Sequence, residues 1–368
     1  CAWLCEYFSK NIEGFLAAEF VETDAKTSGF LYEPMGTVLN IMPWNFPFWQ
    51  AMRAAVPALA AGNVILLKHS SDVPMCSLEL EKVFCQAGLP PGAFQSLLIK
   101  GKTASELLAR EEINAVSFTG SNHAGQKVAA EAGRYMKKFV LELGGSDPFI
   151  VLEDADVEKA AEVAVRSRYQ NAGQSCIAAK RFIVAESVEE DFTEEFVKGT
   201  EKLKVGDPMD PNTQMGPLVN AKQRDRLQEQ VDKTLSMGAD VLLEGGPMEG
   251  EGFFYMPTVL TNINENAPVL REETFGPVAP IIPFDNEREA VKIANNTDFG
   301  LGTSVWTEDR DRAMMLIRDI QAGVVAINNM VSSDPRIPFG GFKKSGLGRE
   351  MYRVGMQEFM QIKSLKVY

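Results

Sequence analysis

The sequence has few cysteines and almost no histidine. Its five cysteines are scattered and include no closely spaced pair of the metal-binding type: Cys1, Cys5, Cys76, Cys85 and Cys176. A disulfide framework is therefore excluded, and a reducing compartment, the cytoplasm, is expected. With only His69 and His123 present, a histidine-rich metal site is excluded and no metal is expected. A Ser-His-Asp triad would depend on one of these two histidines.

The chain also lacks any basic run and any apolar run of membrane-spanning length. Lys and Arg total 37 against 50 Asp and Glu, which gives a formal net charge of −13. Such an acidic chain is a poor match for nucleic acid or for an anionic membrane surface. The expected partner is a small molecule, and an anionic one must be held by a few local cations and backbone amides.

The length of 368 residues indicates two or three domains, and 45% apolar with 24% charged residues is an ordinary globular composition. The chain opens without Met, on a stretch, CAWLCEYFSK, that is typical of the middle of an amphipathic helix. We therefore expect the sequence to be part of a longer chain.

From residue 36 onward, short apolar strands alternate with amphipathic helices, which predicts βαβ units and a parallel sheet covered on both faces. The pair Gly144-Gly145 ends the first block, and a second alternation follows. The predicted fold is α/β, with a Rossmann-like parallel-sheet domain over residues 36–145 and a second α/β domain over residues 146–344.

Two strand-like pieces, at Gly29–Glu33 and Ile362–Val367, fall outside both blocks. Residues 1–35 are predicted to hold an N-terminal helical remnant and a hairpin, and residues 345–368 a return segment and a strand. Isolated terminal strands often pair with a neighbouring subunit, so these pieces predict a small oligomerisation β-element and a homodimer or homotetramer.

Two reactive side chains stand out. Cys176 lies in NAGQSCIAAK, between a long helix and a strand, where small neighbours leave room for a substrate and a thiolate would be a strong nucleophile. On this segment alone, a buried apolar filler is the favoured interpretation. Glu142 ends the strand KKFVLEL and is either a general base with a raised pKa or the partner of a nearby lysine.

Other candidates lie on predicted loops. Gly120 and Ser121 open a helix after a strand, an arrangement that suits an anion but also an ordinary turn. Lys68 ends a strand and is either a phosphate or ribose ligand or a solvated lysine. Asn45, between Pro43 and Pro47, is either an oxyanion donor or a turn-forming residue.

Taken together, these segments resemble one family. PWNFP, LLKHS, FTGS, LELGG, NAGQSC, EETFGP and PFGGFKKSGLGRE occur in this order over essentially the whole chain. They resemble the NAD(P)-dependent aldehyde dehydrogenase superfamily. That family normally carries additional N-terminal helices, which agrees with the expectation of a longer chain.

The resemblance implies catalytic roles. Cys176 matches the nucleophile, which forms a thiohemiacetal and then a thioacyl-enzyme, and the Asn45 side chain and the Cys176 amide match the oxyanion donors. Glu142 matches the general base that activates water. Acylating relatives that use coenzyme A commonly lack this glutamate, so its presence favours hydrolysis to the carboxylic acid.

The resemblance also implies that residues 36–145 form the NAD(P)-binding cofactor domain and residues 146–344 the catalytic domain, with a binding site for NADP or NAD. Lys68 matches the lysine that holds the adenosine ribose, and Gly120 and Ser121 match the pyrophosphate turn. The remaining cofactor positions implied by the family are Trp44, Glu273 and Phe275. Many NAD-specific members carry a glutamate where this chain has Ser71, which predicts that NADP is accepted; the alternative is that Ser71 merely faces solvent and NAD is still used.

Within the superfamily, KKSGLGRE, RYQNAGQSC and LELGGSDPFIVL look most like bacterial succinate-semialdehyde dehydrogenases. Arg53 matches the position of a carboxylate-binding arginine in that group, with a helix-surface salt bridge as the alternative. A second arginine of human-type members is replaced by Gln170. Possible substitutes for it are Arg168, Ser333 and Arg336.

Three hypotheses remain at this point. The first is oxidation of an acidic semialdehyde. The second is oxidation of other aliphatic or aromatic aldehydes, with Arg53 structural. The third is a catalytically silent relative, which the presence of Cys176, Glu142 and Asn45 makes less attractive.

Overall fold

A computed structural model describes all 368 residues of the chain. The chain divides into two compact units. The first unit comprises Cys1–Leu143, Ser333–Gly340 and Gly346–Tyr368, and the second comprises Gly144–Ser332 and Gly341–Ser345. None of the helices combines the length and the apolar character that crossing a membrane would require.

The helices, in chain order, are α1 Ala2–Leu16, α2 Pro47–Ala60, α3 Pro74–Gln86, α4 Gly101–Leu107, α5 Asn122–Arg134, α6 Val157–Tyr169, α7 Glu189–Glu201, α8 Ala221–Ser236, α9 Pro268–Arg271, α10 Glu287–Asn295, α11 Arg310–Asp319 and α12 Tyr352–Gln357. The strands are β1 Glu19–Phe20, β2 Thr27–Pro34, β3 Thr37–Met42, β4 Val64–His69, β5 Phe94–Ser96, β6 Ile113–Thr119, β7 Lys138–Glu142, β8 Asp147–Val151, β9 Ala179–Ala185, β10 Asp240–Leu243, β11 Gly246–Pro247, β12 Tyr255–Met256, β13 Thr258–Thr261, β14 Val278–Phe284, β15 Gly302–Trp306, β16 Val324–Ile327, β17 Gly346–Leu347 and β18 Met360–Val367.

The main sheet of the first unit has the order β17-β7-β6-β3-β4-β5. The strands β5, β4, β3, β6 and β7 are parallel, and β17 joins the β7 edge in the antiparallel direction. This is the order of a dinucleotide-binding sheet, in which the chain starts at a central strand and then builds outward in both directions. From β3 the chain adds β4 and β5 on one side, and it then adds β6 and β7 on the other side, so the strand order reverses between β3 and β6.

Both faces of this sheet are buried because successive side chains of its strands point to opposite sides. Val38 of β3 packs in a cluster with residues of α1, α2 and α12. Leu39, the next residue, packs instead with Val128 and Ala132 of α5. The predicted parallel sheet covered on both faces is confirmed.

The terminal strands form a separate three-stranded sheet in the first unit. Their order is β1-β2-β18, and β18 pairs with β2 antiparallel along its whole length, from Met360 opposite Pro34 to Val367 opposite Thr27. These two pieces therefore pair with each other within one chain, and their role in joining subunits stays a prediction. The sequence shows each strand without a local partner because the two are more than 300 residues apart, whereas the folded chain brings them together.

The second unit is built on a seven-stranded sheet of order β10-β13-β14-β9-β8-β15-β16. All of its strands are parallel except the edge strand β10. Phe149 of β8 belongs to a cluster with α6 and α7, and Ile150 to a cluster with α10 and α11 on the other face. Strand β9 is the central strand of this sheet, and the loop that leads from α6 into β9 lies at its amino end.

Candidate active site

Cys176 lies in the second unit, in the segment that joins α6 to β9, and its side chain is partly exposed. After Gln170, the segment has three successive residues in the left-handed region, Asn171, Ala172 and Gly173. Left-handed backbone is costly for residues other than glycine, so this turn is held by its surroundings rather than by local preference. At Gly173 an added Cβ would lie 2.5 Å from both the Arg168 guanidinium and the Gly276 carbonyl oxygen, so only glycine fits.

Arg168, in the last turn of α6, is fully buried beneath this loop. Its guanidinium donates to the carbonyl oxygens of Ala179 at 2.9 Å and of Gly173 at 2.8 Å. These bonds fix both ends of the loop that carries Cys176. Because both terminal nitrogens of Arg168 donate to backbone and the residue has no exposed surface, its burial favours a structural role over that of the missing substrate arginine.

Gly145 packs directly against the nucleophile segment. An added Cβ would lie 2.5 Å from the Cys176 carbonyl oxygen, so the backbone of the Gly144-Gly145 pair approaches as closely as the chain permits. The Gly145 amide also donates to Oε1 of Glu273 at 3.0 Å. The glycine pair is visible in the sequence, but its contact with a segment 31 residues later is not.

Glu273 and Phe275, the two cofactor candidates of the second unit, lie between α9 and β14 and are both partly exposed. Burial raises the pKa of Glu273, and the Lys180 ammonium, 4.0 Å away, acts in the opposite direction. Sequence reasoning missed Lys180, the second residue of β9. Its only signal was a charged residue where a buried strand begins.

Glu142 is the last residue of β7 in the first unit and is 2% exposed. Neither of its carboxylate oxygens accepts a hydrogen bond from the protein. Its Oε1 rests against Gly340, where an added Cβ would lie 2.8 Å away. Burial raises the pKa of Glu142 well above its usual range, and the Glu350 carboxylate raises it further, whereas Arg53 and Arg349 lower it.

An unpartnered buried carboxyl group is costly when ionised, so the Glu142 carboxyl holds its proton to a higher pH than an exposed glutamate does. A carboxyl group with a raised pKa accepts a proton more readily than an exposed glutamate does, which is what a general base requires. The alternative interpretation, a carboxylate paired with a nearby lysine, finds no such lysine among its contacts.

Trp44 and Asn45 lie on the four-residue loop between β3 and α2 and are partly exposed. His69, at the end of the neighbouring strand β4, fixes this loop. Its Nδ1 accepts from the Ser70 amide at 2.9 Å, so its Nε2 carries the proton and donates to the Pro47 carbonyl oxygen at 2.9 Å. Sequence reasoning counted His69 but assigned it no role.

The other cofactor candidates lie at the carboxyl edge of the same sheet. Lys68 is the penultimate residue of β4, and Ser71 is an exposed residue just beyond that strand. Gly120 follows β6 and donates from its amide to the Glu142 carbonyl oxygen at 3.0 Å. The Ser121 side chain caps α5 by accepting from the Ala124 amide at 3.4 Å, which leaves its own O–H able to donate.

These residues fit a dinucleotide. The order of the sheet reverses between β3 and β6, and ligands of such sheets bind outside the carboxyl ends at that reversal. Helix α5 starts there, and Gly125 lets it lie close to the sheet, since an added Cβ would lie 2.4 Å from Leu143. Sequence reasoning assigned no role to Gly125.

Arg53, the expected carboxylate ligand, lies on α2 and is 3% exposed. Its Nε donates to the Glu350 carboxylate, and its guanidinium stacks over the Phe339 ring at 4.5 Å. The salt bridge considered from the sequence as the alternative is therefore present, but it is buried rather than on the helix surface. Sequence reasoning missed Glu350, although the residue stands in the motif PFGGFKKSGLGRE.

The remaining substrate candidates are dispersed. Ser333 accepts a hydrogen bond from Trp49 Nε1 at 2.9 Å in the first unit, and the Arg336 guanidinium donates two hydrogen bonds to Asp334, at 2.9 and 2.6 Å. Gln170 is exposed at the start of the nucleophile segment in the second unit. The candidate residues are thus divided between the units, with Cys176, Glu273 and Phe275 in the second and Asn45 and Glu142 in the first.

Comparison with known proteins identifies the family. Residues 1–365 match the aldehyde dehydrogenase family. The chain is 52% identical over 365 residues to a protein of Synechocystis sp. named probable succinate-semialdehyde dehydrogenase (NADP(+)). This alignment covers 99% of this chain and 80% of that relative. It is 46% identical over 368 residues to succinate-semialdehyde dehydrogenase (NADP(+)) 1 of Mycobacterium tuberculosis, with the same coverage of 99% and 80%.

A solved structure agrees. Succinic semialdehyde dehydrogenase from Streptococcus pyogenes, in complex with NADP+, superposes with a TM-score of 0.97 at 35% identity, covering 100% of this chain and 81% of that one. The chain belongs to the aldehyde dehydrogenase family. The predicted α/β fold and the prediction of an NAD(P)-dependent aldehyde dehydrogenase are confirmed.

Proposed function

We propose that this chain oxidises succinate semialdehyde to succinate with NADP+, using Cys176 as the nucleophile. The observation that carries the proposal is the position of Cys176, a partly exposed thiol on a loop that buried side chains hold at the amino end of β9. A substrate-accessible thiol on a fixed backbone is what nucleophilic catalysis requires. The names of the relatives supply the substrate.

The chemistry begins at Cys176. Its thiolate forms a C–S bond with the aldehyde carbon, and the carbonyl oxygen becomes negatively charged. The Asn45 amide and the Cys176 backbone N–H are assigned to this oxygen, and a donor of this kind contributes about 2.7–4 kcal/mol of transition-state stabilisation. When bound, NADP+ supplies the hydride acceptor for this centre, and the residues assigned to hold it are Lys68, Gly120, Ser121, Trp44, Glu273 and Phe275.

Glu142 is assigned to the hydrolysis of the thioacyl group on Cys176. It takes a proton from water as the water oxygen bonds to the acyl carbon, and the C–S bond breaks to release the acid and the thiolate. Only the ionised carboxylate can accept that proton, and its pKa is raised. Hydrolysis should therefore increase as the pH rises through the pKa of Glu142.

NADP is proposed as the physiological cofactor because Ser71 is small, neutral and exposed just beyond β4. A carboxylate at this position would repel a 2′-phosphate, and a serine does not. Asp72, the nearest acid in sequence, accepts a hydrogen bond from the Ser70 hydroxyl at 2.7 Å.

The burial of Arg53 favours a second candidate, oxidation of uncharged aliphatic or aromatic aldehydes. The Arg53 guanidinium is already paired with Glu350 and stacked on Phe339, as a structural arginine would be. To bind a substrate carboxylate, it must share its remaining donors between the protein and the ligand.

The test measures reduced-cofactor absorbance with succinic semialdehyde, hexanal and benzaldehyde, each with NADP and with NAD. Succinic semialdehyde with NADP should give the highest kcat/KM, and Cys176→Ala should give none. Turnover that persists in Cys176→Ala would refute the mechanism, and a preference for hexanal would refute the substrate.

Arg53→Met separates the two roles of this arginine. If Arg53 binds the substrate carboxylate, the variant loses at least about tenfold in the ratio of kcat/KM for succinic semialdehyde to that for hexanal. Glu350→Gln is the matched control, because it breaks the same ion pair but keeps the cation, and it should leave that ratio unchanged. Equal ratios in both variants would make Arg53 purely structural.

We also propose that the enzyme is a cytoplasmic homodimer or homotetramer assembled through β18. This strand is the open edge of its sheet, and it exposes Ile362 at 65% and Val367 at 45%. Ile362→Lys with Val367→Lys should shift the mass measured by light scattering to a smaller species. The cytoplasm is proposed because a thiol nucleophile is preserved under reducing conditions.

A further inference from the structure

Lys180 is a buried cation directly beneath the nucleophile. It is the second residue of β9 and has no exposed surface. Its Nζ donates to the carbonyl oxygens of Ser175 at 2.8 Å, Cys176 at 2.7 Å and Ala178 at 3.4 Å. An ammonium group has three N–H donors, and here all three are directed at the loop that carries Cys176.

The same ammonium lies next to a cofactor candidate. Its Nζ is 4.0 Å from Glu273 Oε1, and that oxygen also accepts from the Gly145 amide at 3.0 Å. The other charged groups that act on Lys180 are Asp147 and Arg168. Burial lowers the pKa of Lys180, while Glu273, Asp147 and the Cys176 thiolate raise it and Arg168 lowers it.

We propose that Lys180 is a positioning residue that fixes the Cys176 loop and favours the thiolate form of Cys176, while Glu273 offsets part of its charge. The inference rests on the proposed function, since it takes Cys176 as the nucleophile. The 2.7 Å contact joins the Lys180 ammonium to the carbonyl oxygen of Cys176 itself, and the charge of ionised Cys176 acts on Lys180. This attraction between opposite charges is strengthened because the ammonium is buried away from water.

The arrangement predicts opposite effects for its two charges. Removing the cation should disfavour the thiolate, whereas neutralising Glu273 should favour it, because Lys180 then lacks one counter-charge. A lysine that only supported the loop would produce no such opposition of sign. A bound ligand that occupies the Glu273 carboxylate would, like neutralisation of Glu273, favour the thiolate form of Cys176.

The experiment follows the alkylation rate of Cys176 by iodoacetamide against pH in the full chain, with the modified peptide quantified by mass spectrometry. Lys180→Met should raise the pH midpoint by about one unit. Lys180→Arg, which keeps the charge, should lie closer to wild type, and Glu273→Gln should lower the midpoint. Lys202→Met, which removes an exposed lysine just after α7, is the matched control and should leave the midpoint unchanged.

An unchanged midpoint in folded Lys180→Met would overturn the proposal, and so would a Glu273→Gln shift in the same direction as Lys180→Met. If Lys180→Met does not fold, Glu273→Gln decides: a lower midpoint supports the proposal, and an unchanged or higher one overturns it. Wild-type turnover that does not require Cys176 refutes the proposed function instead, while the midpoints still report on the thiol.

Discussion

The guanidinium of Arg53 and the carboxylate of Glu350 form an ion pair in which the side chains are only 4% and 1% exposed. The two residues are 297 positions apart in the sequence. The pair ties helix α2 to the segment that follows β17, and the Phe339 ring covers the guanidinium. It also adjoins Glu142, whose pKa Glu350 raises and Arg53 lowers.

Glu350→Gln should destabilise the protein by about 3–5 kcal/mol, because it leaves the Arg53 charge buried without a counter-charge. The free energy of unfolding in urea gives the measurement. Arg53→Met combined with Glu350→Gln should cost less than the sum of the two single changes, because the second change removes a charge that the first left unpaired. Additive single and double variants would show that the pair contributes no interaction energy.

Asp147 provides a test of pH dependence. It is buried, accepts from the Gly302 amide at 3.0 Å, and burial raises its pKa to about 6. Between the usual pKa of 3.8 and this value, the folded protein keeps a proton that the unfolded chain releases. Unfolding therefore becomes more favourable as the pH rises through this range.

Asn at position 147 does not titrate and still offers an acceptor to Gly302. The stability of Asp147→Asn relative to wild type should consequently increase by about 2 kcal/mol between pH 4.5 and pH 7.5, as measured by urea unfolding at each pH. Because the site is buried, 1 M salt should change this difference little. A difference that does not vary with pH would show that the Asp147 carboxyl ionises normally in the folded chain.

Much of the fold could be predicted because its signals are local. The alternation of apolar strands and amphipathic helices from residue 36 onward predicted the largely parallel sheets of both units, because period and turn residues are signals within a few positions. The pairing of β2 with β18 was missed because no local signal encodes a long-range partner.

In the candidate site, too, some residues could be found from the sequence and others could not. The segment around Cys176 gave no local reason to prefer a nucleophile over a buried filler, and only the resemblance of the whole set of motifs assigned it. Of the supports of that segment, Lys180 contacts carbonyl groups only a few residues away, which no sequence pattern announces. Gly145 reaches Cys176 only when the start of β8 lies next to β9. Arg53 was visible as a cation, but its partner was not.

The cofactor preference can be tested at Ser71. Ser71→Glu should lower the ratio of kcat/KM for NADP to that for NAD by at least about tenfold, since a carboxylate repels the 2′-phosphate. Ser71→Gln is the matched control, because it adds nearly the same volume without charge and should keep a ratio near wild type. If both variants lose NADP activity equally, the size of the side chain and not its charge sets the preference.

Two glycines of α5 differ in what surrounds them, and this difference gives a paired test. An added Cβ at Gly125 would lie 2.4 Å from a methyl of Leu143, whereas at Gly133 nothing lies within 4 Å. Gly125→Ala should therefore destabilise the protein by about 1–3 kcal/mol through overpacking. Gly133→Ala should stabilise it by about 0.5–1 kcal/mol, because alanine favours the helix where space is open.

Urea unfolding midpoints of the two variants give the comparison, and Leu143→Ala provides the internal check. If the clash with Leu143 is the cause, Gly125→Ala should be less costly in the Leu143→Ala background than in wild type. The same variant should weaken NADP binding in a fluorescence titration, because α5 must move away from the sheet at the edge where Gly120 and Ser121 lie. A Gly125→Ala protein with wild-type stability would mean that the helix can shift at no cost, and the close approach of α5 would then have no bearing on the cofactor edge.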